Sequence, residues 1–311
     1  MPPKDLAAAP IQLPGLTYTV IVNWNGWSET VECLQSCFRL SGVNNIVLVI
    51  DNGSTDGSVG HLRRLFPGLR VIENDANLGF AGACNVGIRA AIQAGAEFVW
   101  LLNNDTVVDS AALAELINAL RSRPKAAFAG SKIYYASRPN VIWFAGGALP
   151  TLGSEPFHRG LDESDEGKYD TVTACGFITG CSLLARTTAI AAIGVMPEDY
   201  FVYWEDVDWN ERAAVARTQR IYVPTSRVWH KVGASSQEKT GQRNPAMDRY
   251  VMRNFILFHR QHRPHSLPLA VLRGWLRTLK ILFWYRHPRR SAASFQGMID
   301  GICGRTGQIN G

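Results

Sequence analysis

Ile46-Val47-Leu48-Val49-Ile50-Asp51-Asn52-Gly53-Ser54-Thr55-Asp56-Gly57-Ser58 is the stretch from which the fold is read. Its first five residues are all apolar and mostly β-branched, so they leave no polar face and read as a strand covered on both sides. Asn, Gly, Ser and Asp then crowd into a turn, and residues 58–66 carry helical patterning. The same alternation recurs on either side. Apolar runs at 17–22, 70–72 and 98–102 read as strands, and 28–40, 81–94 and 110–121 read as helices. Strands alternating with helices predict an α/β fold, a mostly parallel central sheet flanked by helices. Ligands of such sheets sit outside the carboxyl ends of the strands. That rule selects Asn23-Trp24-Asn25, Asp51-Asn52-Gly53-Ser54 and Asn103-Asn104-Asp105.

Composition narrows the function classes. A hydrophobic share of 46% with 19% charged residues excludes collagen-like, coiled-coil and low-complexity chains. The six cysteines are scattered, without the spacing of a zinc site or a disulfide scaffold, and are expected to be reduced. Residues 1–14 lack a basic region followed by a long apolar run, so no secretory leader is expected and a cytoplasmic location is the default. The net charge of +6 is unevenly placed: residues 261–311 hold eight Lys/Arg and one Asp, which leaves the rest of the chain near neutral. A nucleic-acid binder would carry its basic surplus on the folded domain, so no nucleic-acid partner is expected.

The later chain is less regular. Residues 150–169 are rich in Gly, Pro and acidic residues and read as a long loop between two halves of the domain. Beyond it lie 172–185, the aromatic-acidic run 200–209 and a short strand near 221–223; no internal repeat is evident. Around 265–290 the chain turns apolar, basic and aromatic together. Arg273, Arg277 and Lys280 recur at helical spacing, while Leu272, Trp275, Leu276, Leu279 and Phe283 fall mainly elsewhere on the helix. Charges interrupt it too often for a spanning helix; it fits an interfacial helix attracted to anionic lipid, or a surface helix packed on its own domain.

Four places can carry chemistry. Asp51 ends a strand, where a carboxylate either caps a turn or accepts hydrogen bonds from a nucleotide's base or ribose. Asp105 arrives at the same sheet edge on Trp100-Leu101-Leu102. It is either a helix-entry residue or an oxygen ligand that shares a divalent cation with a diphosphate. The run Tyr203-Trp204-Glu205-Asp206-Val207-Asp208-Trp209 precedes a helix reaching Ala216. Carboxylates there are favoured by the helix dipole, which also keeps one ionised for use as a general base. The aromatics either belong to the core or stack on sugar faces. His230 is a structural histidine or a metal ligand.

The order of these motifs resembles family two glycosyltransferases of the GT-A fold, in particular their rhamnosyltransferase-like branch. The match runs from Val20-Ile21-Val22-Asn23-Trp24-Asn25-Gly26 and the Asp51 turn, through Asn77-Leu78-Gly79-Phe80-Ala81-Gly82-Ala83-Cys84-Asn85 and Leu101-Leu102-Asn103-Asn104-Asp105. It continues in Thr179-Gly180-Cys181-Ser182-Leu183-Leu184 and Tyr203 to Trp209, so it covers roughly residues 17–260. The resemblance implies a Rossmann-like GT-A domain at 17–260, an N-terminal tail at 1–16, and a basic, aromatic C-terminal helical extension at 261–311. It implies that Asn23, Asp51, Asn77, Asn85, Asn104 and Asp105 bind the donor, that Asp105 and His230 ligate Mg²⁺ or Mn²⁺, and that Asp206 is the catalytic base. Glu205 is the alternative base, and Trp204 and Glu205 face the acceptor. Only the last position of Asn103-Asn104-Asp105 is acidic, which leaves a single carboxylate for the metal.

On this resemblance the expected reaction is inverting transfer of a sugar from a nucleoside diphosphate, dTDP-L-rhamnose favoured and UDP-sugars second. The expected acceptor is a hydroxyl of a lipid-linked or cell-surface polysaccharide precursor, a glycan or glycolipid, met at an anionic membrane surface on the cytoplasmic side. Two other readings compete. A nicotinamide-dependent oxidoreductase should place its glycine fingerprint directly after the first strand, where this chain has Asn23-Trp24-Asn25-Gly26. A non-catalytic nucleotide-sugar-binding module has no use for a base such as Asp206.

Overall fold

The computed structural model describes residues 13–232 and 244–309. In chain order the strands are β1 (Leu13–Asn23), β2 (Asn44–Asp51), β3 (Arg70–Glu73), β4 (Ala96–Asn103), β5 (Thr106–Val108), β6 (Ala126–Tyr135), β7 (Arg138–Phe144), β8 (Gly147–Ala148), β9 (Phe157–His158), β10 (Thr173–Ala174), β11 (Ser182–Arg186) and β12 (Gln219–His230). The helices are α1 (Trp27–Cys37), α2 (Ser58–Leu65), α3 (Gly79–Gln93), α4 (Ala112–Arg121), α5 (Thr187–Ile193), α6 (Glu205–Val215), α7 (Pro245–His262), α8 (Leu267–Phe283) and α9 (Pro288–Cys303).

The main sheet runs β10-β12-β6-β11-β4-β1-β2-β3, with β5 on β12 and β7 on β6. Its β3-β2-β1-β4 half is parallel. β11 enters antiparallel between β4 and β6, and β12 returns parallel to β6. Val20, Ile21, Val49, Ile50 and Phe98 to Leu102 are buried, as their unbroken apolar runs require. This is the expected α/β architecture. In the register Asn23 stands beside Asp51, so the carboxyl ends of β1 and β2 are level.

Three boundaries differ from expectation. β12 is far longer than a strand at 221–223, because beyond a register shift between Val223 and Arg227 its polar second half continues against β6 and β5. Pro224 and the alternating polar residues there hide it from an apolar count. The first strand begins at Leu13, inside the expected tail, of which residues 1–12 lie outside the described residues. The boundary at 260 falls within α7, which packs on α9 and α8. A Cβ on Gly297 would lie 2.2 Å from the Arg249 carbonyl oxygen, and one on Gly301 2.7 Å from that of Arg253. Only glycine lets α9 approach the α7 backbone so closely.

α8 has three faces. Ala270, Gly274, Thr278 and Ile281 are buried. Leu272, Trp275, Leu276 and Phe283 are exposed, as are Trp284 and Tyr285 just beyond the helix. Arg273, Arg277 and Lys280 form the third face at their own helical spacing. Among the described residues no helix is long and apolar enough to cross a membrane.

Candidate active site

The β1–β2 corner is built around Asp51. Asn23 is fully buried and its amide donates to Asp51 Oδ2 (2.8 Å) and to Ser54 Oγ (3.1 Å). Asp51 Oδ1 accepts from the Ser54 backbone N–H (2.9 Å), and Thr30 Oγ1 donates to Asn23 Oδ1 (2.8 Å). Asp51 therefore caps its own turn, and its carboxylate is held in one orientation at the carboxyl end of β2. Exposed Trp24 stands at the same edge. Asn104 is half-buried, and its amide reaches across to Thr30 Oγ1 (3.0 Å).

Asp105 and His230 come together from opposite ends of the sequence. β5 begins at Thr106, which pairs with His230 at the end of β12, and the Lys231 N–H donates to the Asp105 carbonyl (2.9 Å). Both side chains are buried, with His230 Nε2 3.1 Å from Asp105 Oδ1. The contact is close but poorly aligned for a hydrogen bond, and among the described residues Asp105 Oδ1 and His230 Nδ1 have no hydrogen-bond partner. Orphaned buried polar atoms are rare unless something else binds them. Burial opposes the charged form of His230, while Cys181 and Asp105 favour it, and the net direction of its pKa is upward. Since burial holds Cys181 as a thiol, the Asp105 carboxylate is the physical cause.

This pair fits a divalent cation. Two adjacent ligands of an octahedral ion, each at about 2.1 Å, lie about 3 Å apart, close to the 3.1 Å between Asp105 Oδ1 and His230 Nε2. Of the two orphaned atoms only Asp105 Oδ1 belongs to this pair, since Nδ1 is the other ring nitrogen. No cluster of three or more His, Cys, Asp or Glu is present among the described residues. The protein thus offers two donors at this place and leaves the remaining positions of such an ion to substrate and water.

The acidic run divides into distinct roles that its sequence does not separate. Asp208 is fully buried and engaged by Arg212 (2.6 Å), His262 (2.7 Å) and Tyr200 (2.8 Å). Burial would raise its pKa, but these partners lower it; Asp208 locks α6 to α7. Glu205 is buried, and its Oε2 has no hydrogen-bond partner among the described residues. Burial and the adjacent Asp206 push its pKa well up. Asp206 is half-buried. Its carboxylate accepts from the Gly180 N–H (2.8 Å) and its own neighbour's, Val207 (2.8 Å). Burial raises its pKa despite these donors. Between two carboxyl groups so placed, the one with backbone donors is the one that carries charge.

Thr179-Gly180-Cys181 connects the two acidic centres. Gly180 holds Asp206, while the Cys181 carbonyl accepts from the Asn103 N–H (3.0 Å) and its thiol adjoins His230. A side chain on Gly180 would stand 3.3 Å from the Phe80 ring and 3.5 Å from Asp206.

Four expected site residues are engaged within the protein: Asn23, whose amide is taken by Asp51, Ser54 and Thr30, and Trp204, Asn85 and Asn77. Trp204 is buried against Phe255 and Phe258 of α7, with ring centroids 5.6 Å and 5.3 Å away. It is a core aromatic and has no face free for an acceptor sugar. Asn85 lies inside α3, fully buried, with its amide donating to the Met196 carbonyl and Glu198 (both 2.8 Å). It ties a helix to a loop and presents no free donor to a nucleotide. Asn77 accepts from the Asn52 amide and the Gly79 N–H (both 2.9 Å), so it shapes the loop between β3 and α3.

Arg253 and Asn254 carried no assignable role in the sequence, yet the structure places both, fully buried, beneath the turn that enters α6. That turn holds Phe201 (φ 62°), Tyr203 (φ 65°) and Trp204 (φ 77°) at positive φ. Each such bulky residue costs about 1–3 kcal/mol, so the surroundings must enforce it. The sequence shows only an adjacent Arg and Asn in the third turn of α7, and spacing alone cannot name their partner.

The long loop is pinned from below. Lys132, 1% exposed, donates to Asp165 (2.8 Å) and Asp170 (2.5 Å). His158 in the same loop lies against Trp143, Phe144 and Phe177, and burial lowers its pKa to about 4. Trp143 in turn meets His230 edge-on at 4.8 Å. Through Trp143 the 150–170 region reaches the Asp105–His230 pair.

Comparisons with known proteins bear on the family and the fold. The model of glycosyl transferase family 2 matches residues 18–188. An N-acetylglucosaminyl-diphospho-decaprenol L-rhamnosyltransferase of Mycobacterium tuberculosis is 30% identical over 203 residues, 59% of this chain and 66% of that protein. The chain therefore spans just under two thirds of that curated relative's length. A low-salt glycan biosynthesis hexosyltransferase of Haloferax volcanii is 24% identical over 303 residues, 93% of this chain and 92% of that protein. Among solved structures, a mannosyltransferase of Pyrobaculum calidifontis in complex with GDP-Man and Mn²⁺ matches with a TM-score of 0.57 at 16% identity, covering 96% of this chain and 90% of that one. At such identity the structural likeness speaks for the fold. With more than half of the chain matched by the family model and the expected mostly parallel central sheet flanked by helices present, the protein belongs to glycosyl transferase family 2 and has the GT-A fold.

Proposed function

We propose that the chain is an inverting glycosyltransferase that moves a sugar, L-rhamnose from dTDP-L-rhamnose in first place, to a hydroxyl of a lipid-linked or cell-surface glycan precursor. The observation that carries the reading is the connection of Asp206 to the Asp105–His230 pair through Thr179 to Cys181. A proton acceptor and a diphosphate-side centre are thereby held by one short segment. The rhamnosyl donor and lipid-linked acceptor are supported by the activity for which the Mycobacterium tuberculosis relative is named. A UDP-sugar is the second donor.

In this mechanism Asp51, held in place by Asn23, orients the nucleotide at the sheet edge. Asp206 removes the proton from the acceptor hydroxyl as that oxygen attacks the anomeric carbon. One C–O bond forms while the bond to the diphosphate breaks on the opposite face, which inverts the configuration and leaves no covalent intermediate. Mg²⁺ or Mn²⁺ held by Asp105 and His230 would supply positive charge to the departing diphosphate. Burial and the adjacent Asp206 push the Glu205 pKa well up, which disfavours a second negative charge beside the base. Holding both substrates in line supplies much of the remaining acceleration.

The surface formed by Leu272, Trp275, Leu276, Phe283, Trp284 and Tyr285, bordered by Lys280, Arg286 and Arg289, would rest on an anionic membrane face from which a lipid-linked acceptor is presented. The decisive experiment is calorimetric titration with dTDP, UDP, GDP and NAD⁺, each with Mn²⁺ and with EDTA. Selective, metal-dependent dTDP binding followed by transfer from dTDP-rhamnose sustains the proposal. UDP preference replaces the donor, and binding of NAD⁺ alone removes the transferase reading.

A further inference from the structure

The turn Tyr200 to Trp204 sits between the donor-side loop and the helix that starts with Glu205 and Asp206. Phe201 (φ 62°, ψ −58°), with the Val202 N–H donating back to the Tyr200 carbonyl (2.8 Å), forms a γ-turn of the rare, strained sense. Tyr203 and Trp204 follow at positive φ, and the Trp204 carbonyl accepts the first hydrogen bond of α6, from Asp208 (2.9 Å). On its other side the Phe201 carbonyl accepts from the Phe80 N–H (2.7 Å). A Cβ on Gly79 would lie 2.3 Å from that carbonyl oxygen, so this residue must be glycine.

Two residues of α7 hold the turn in this shape. The Asn254 amide donates to the carbonyls of Tyr200 (2.9 Å), Val202 (2.8 Å) and Tyr203 (2.8 Å), its two hydrogens shared among three acceptors. Its own oxygen accepts from Arg253 Nε (2.9 Å), which fixes the orientation of the amide. Arg253 also donates to the Tyr200 carbonyl (2.8 Å) and to that of Gly307 (2.6 Å). Backbone in such conformations persists only where its surroundings over-determine it, and here the carbonyls that would otherwise relax are all claimed.

We propose that Arg253 and Asn254 are positioning residues for Asp206: by clamping the Tyr200–Trp204 turn they set where α6 starts and so where the Asp206 carboxylate points. The inference rests on the transferase function proposed above, with Asp206 as base. A staple that merely attached α7 to the domain would support stability without affecting the chemistry of the folded fraction.

The test is Asn254→Ala in the full chain, assayed for turnover of the nucleotide sugar that the wild type uses, with thermal melts alongside. Displacing a reacting group by about 1 Å costs on the order of 100-fold in rate. The expected result is a loss of that size in kcat with little change in donor KM. The acidic limb of the kcat–pH profile should also move to lower pH, since a loosened turn admits water to a carboxyl that burial holds up. Asn254→Gln, which restores the amide donors on a longer stem, should recover part of the rate. A kcat for Asn254→Ala within about twofold of wild type, with an unmoved limb, overturns the inference. Should that variant be unfolded at the assay temperature, Asn254→Ser, which keeps one donor, is read by the same criteria. A wild type that turns over no nucleotide sugar removes the proposed function and this inference together, whereas an active wild type with an indifferent Asn254 removes only the inference.

Discussion

His230 Nε2 and Asp105 Oδ1 stand 3.1 Å apart, one at the end of β12 and the other just before β5, because Thr106 and His230 are register partners. An interstrand pairing thus brings a carboxylate and an imidazole from residues far apart in the chain to one buried point. Asp105→Ala should abolish Mn²⁺-dependent nucleotide binding while leaving the melting temperature within a few degrees of wild type. Calorimetry with and without EDTA checks it, and unchanged metal-dependent binding would remove Asp105 as a ligand.

Gly180 and Val207 donate to different oxygens of Asp206, so Asp206→Asn keeps one of these hydrogen bonds and loses the basic oxygen. Donor binding should persist while kcat falls by about 10²–10⁴-fold, the usual contribution of a general base. Steady-state kinetics with matched donor titrations decides it. Equal turnover in variant and wild type would reassign the base to another group.

Glu205 is buried and its pKa lies well above the usual 4.5, first because of burial and then because of Asp206. A carboxyl whose folded pKa is raised favours the folded state while protonated. Its contribution is fully present below the unfolded value and is lost as pH rises through the folded one. Glu205→Gln removes that dependence. The variant should melt above wild type at alkaline pH, and the difference should shrink as pH falls toward 4.5. Melting curves across that range test the sign; a constant difference would contradict it.

Lys132 is 1% exposed and bonded to Asp165 and Asp170. Removing one partner of a buried ion pair leaves a stranded charge and costs about 3–5 kcal/mol. Asp170 is 61% exposed, so solvent screening reduces its share. Lys132→Met should therefore destabilise by roughly 3 kcal/mol, measured by urea unfolding, and should expose the 150–170 region to limited proteolysis. A loss below about 1 kcal/mol would mean that the pair is not what holds the loop.

The exposed apolar face of α8 and the residues after it should bind vesicles containing anionic lipid. Deleting the C-terminal helices is a poor test, since α9 packs on the α7 backbone at Gly297 and Gly301 and its loss would uncover Arg253 and Ile256. The paired exchange Phe283→Ser with Trp284→Ser, at side chains that are 73% and 79% exposed, leaves the fold alone. It should weaken vesicle sedimentation by about tenfold or more. Equal sedimentation of the two proteins removes this surface from the proposal.

Local patterning determined the parallel half of the sheet. Runs such as Val47 to Ile50 and Val99 to Leu102 have no polar face, so each must become a covered strand, and Asp51 and Asp105 must emerge at their ends. The order of motifs likewise identified the family, because the strand-end turns depend on nearby residues. Pairings between distant segments were not legible. Strand β12 was underestimated because its second half takes its partners from β5 and β6 and not from its own hydrophobicity. In Tyr203 to Trp209 the residues themselves did not separate three carboxylates and two tryptophans; only the resemblance put Asp206 forward as base, and it also put Trp204 at the acceptor. Burial against α7 made Trp204 and Trp209 core, and Arg212 and His262 claimed Asp208. Gly180 received Asp206. Those assignments depend on which donors reach which oxygen, a property of three-dimensional packing that no spacing along the chain encodes.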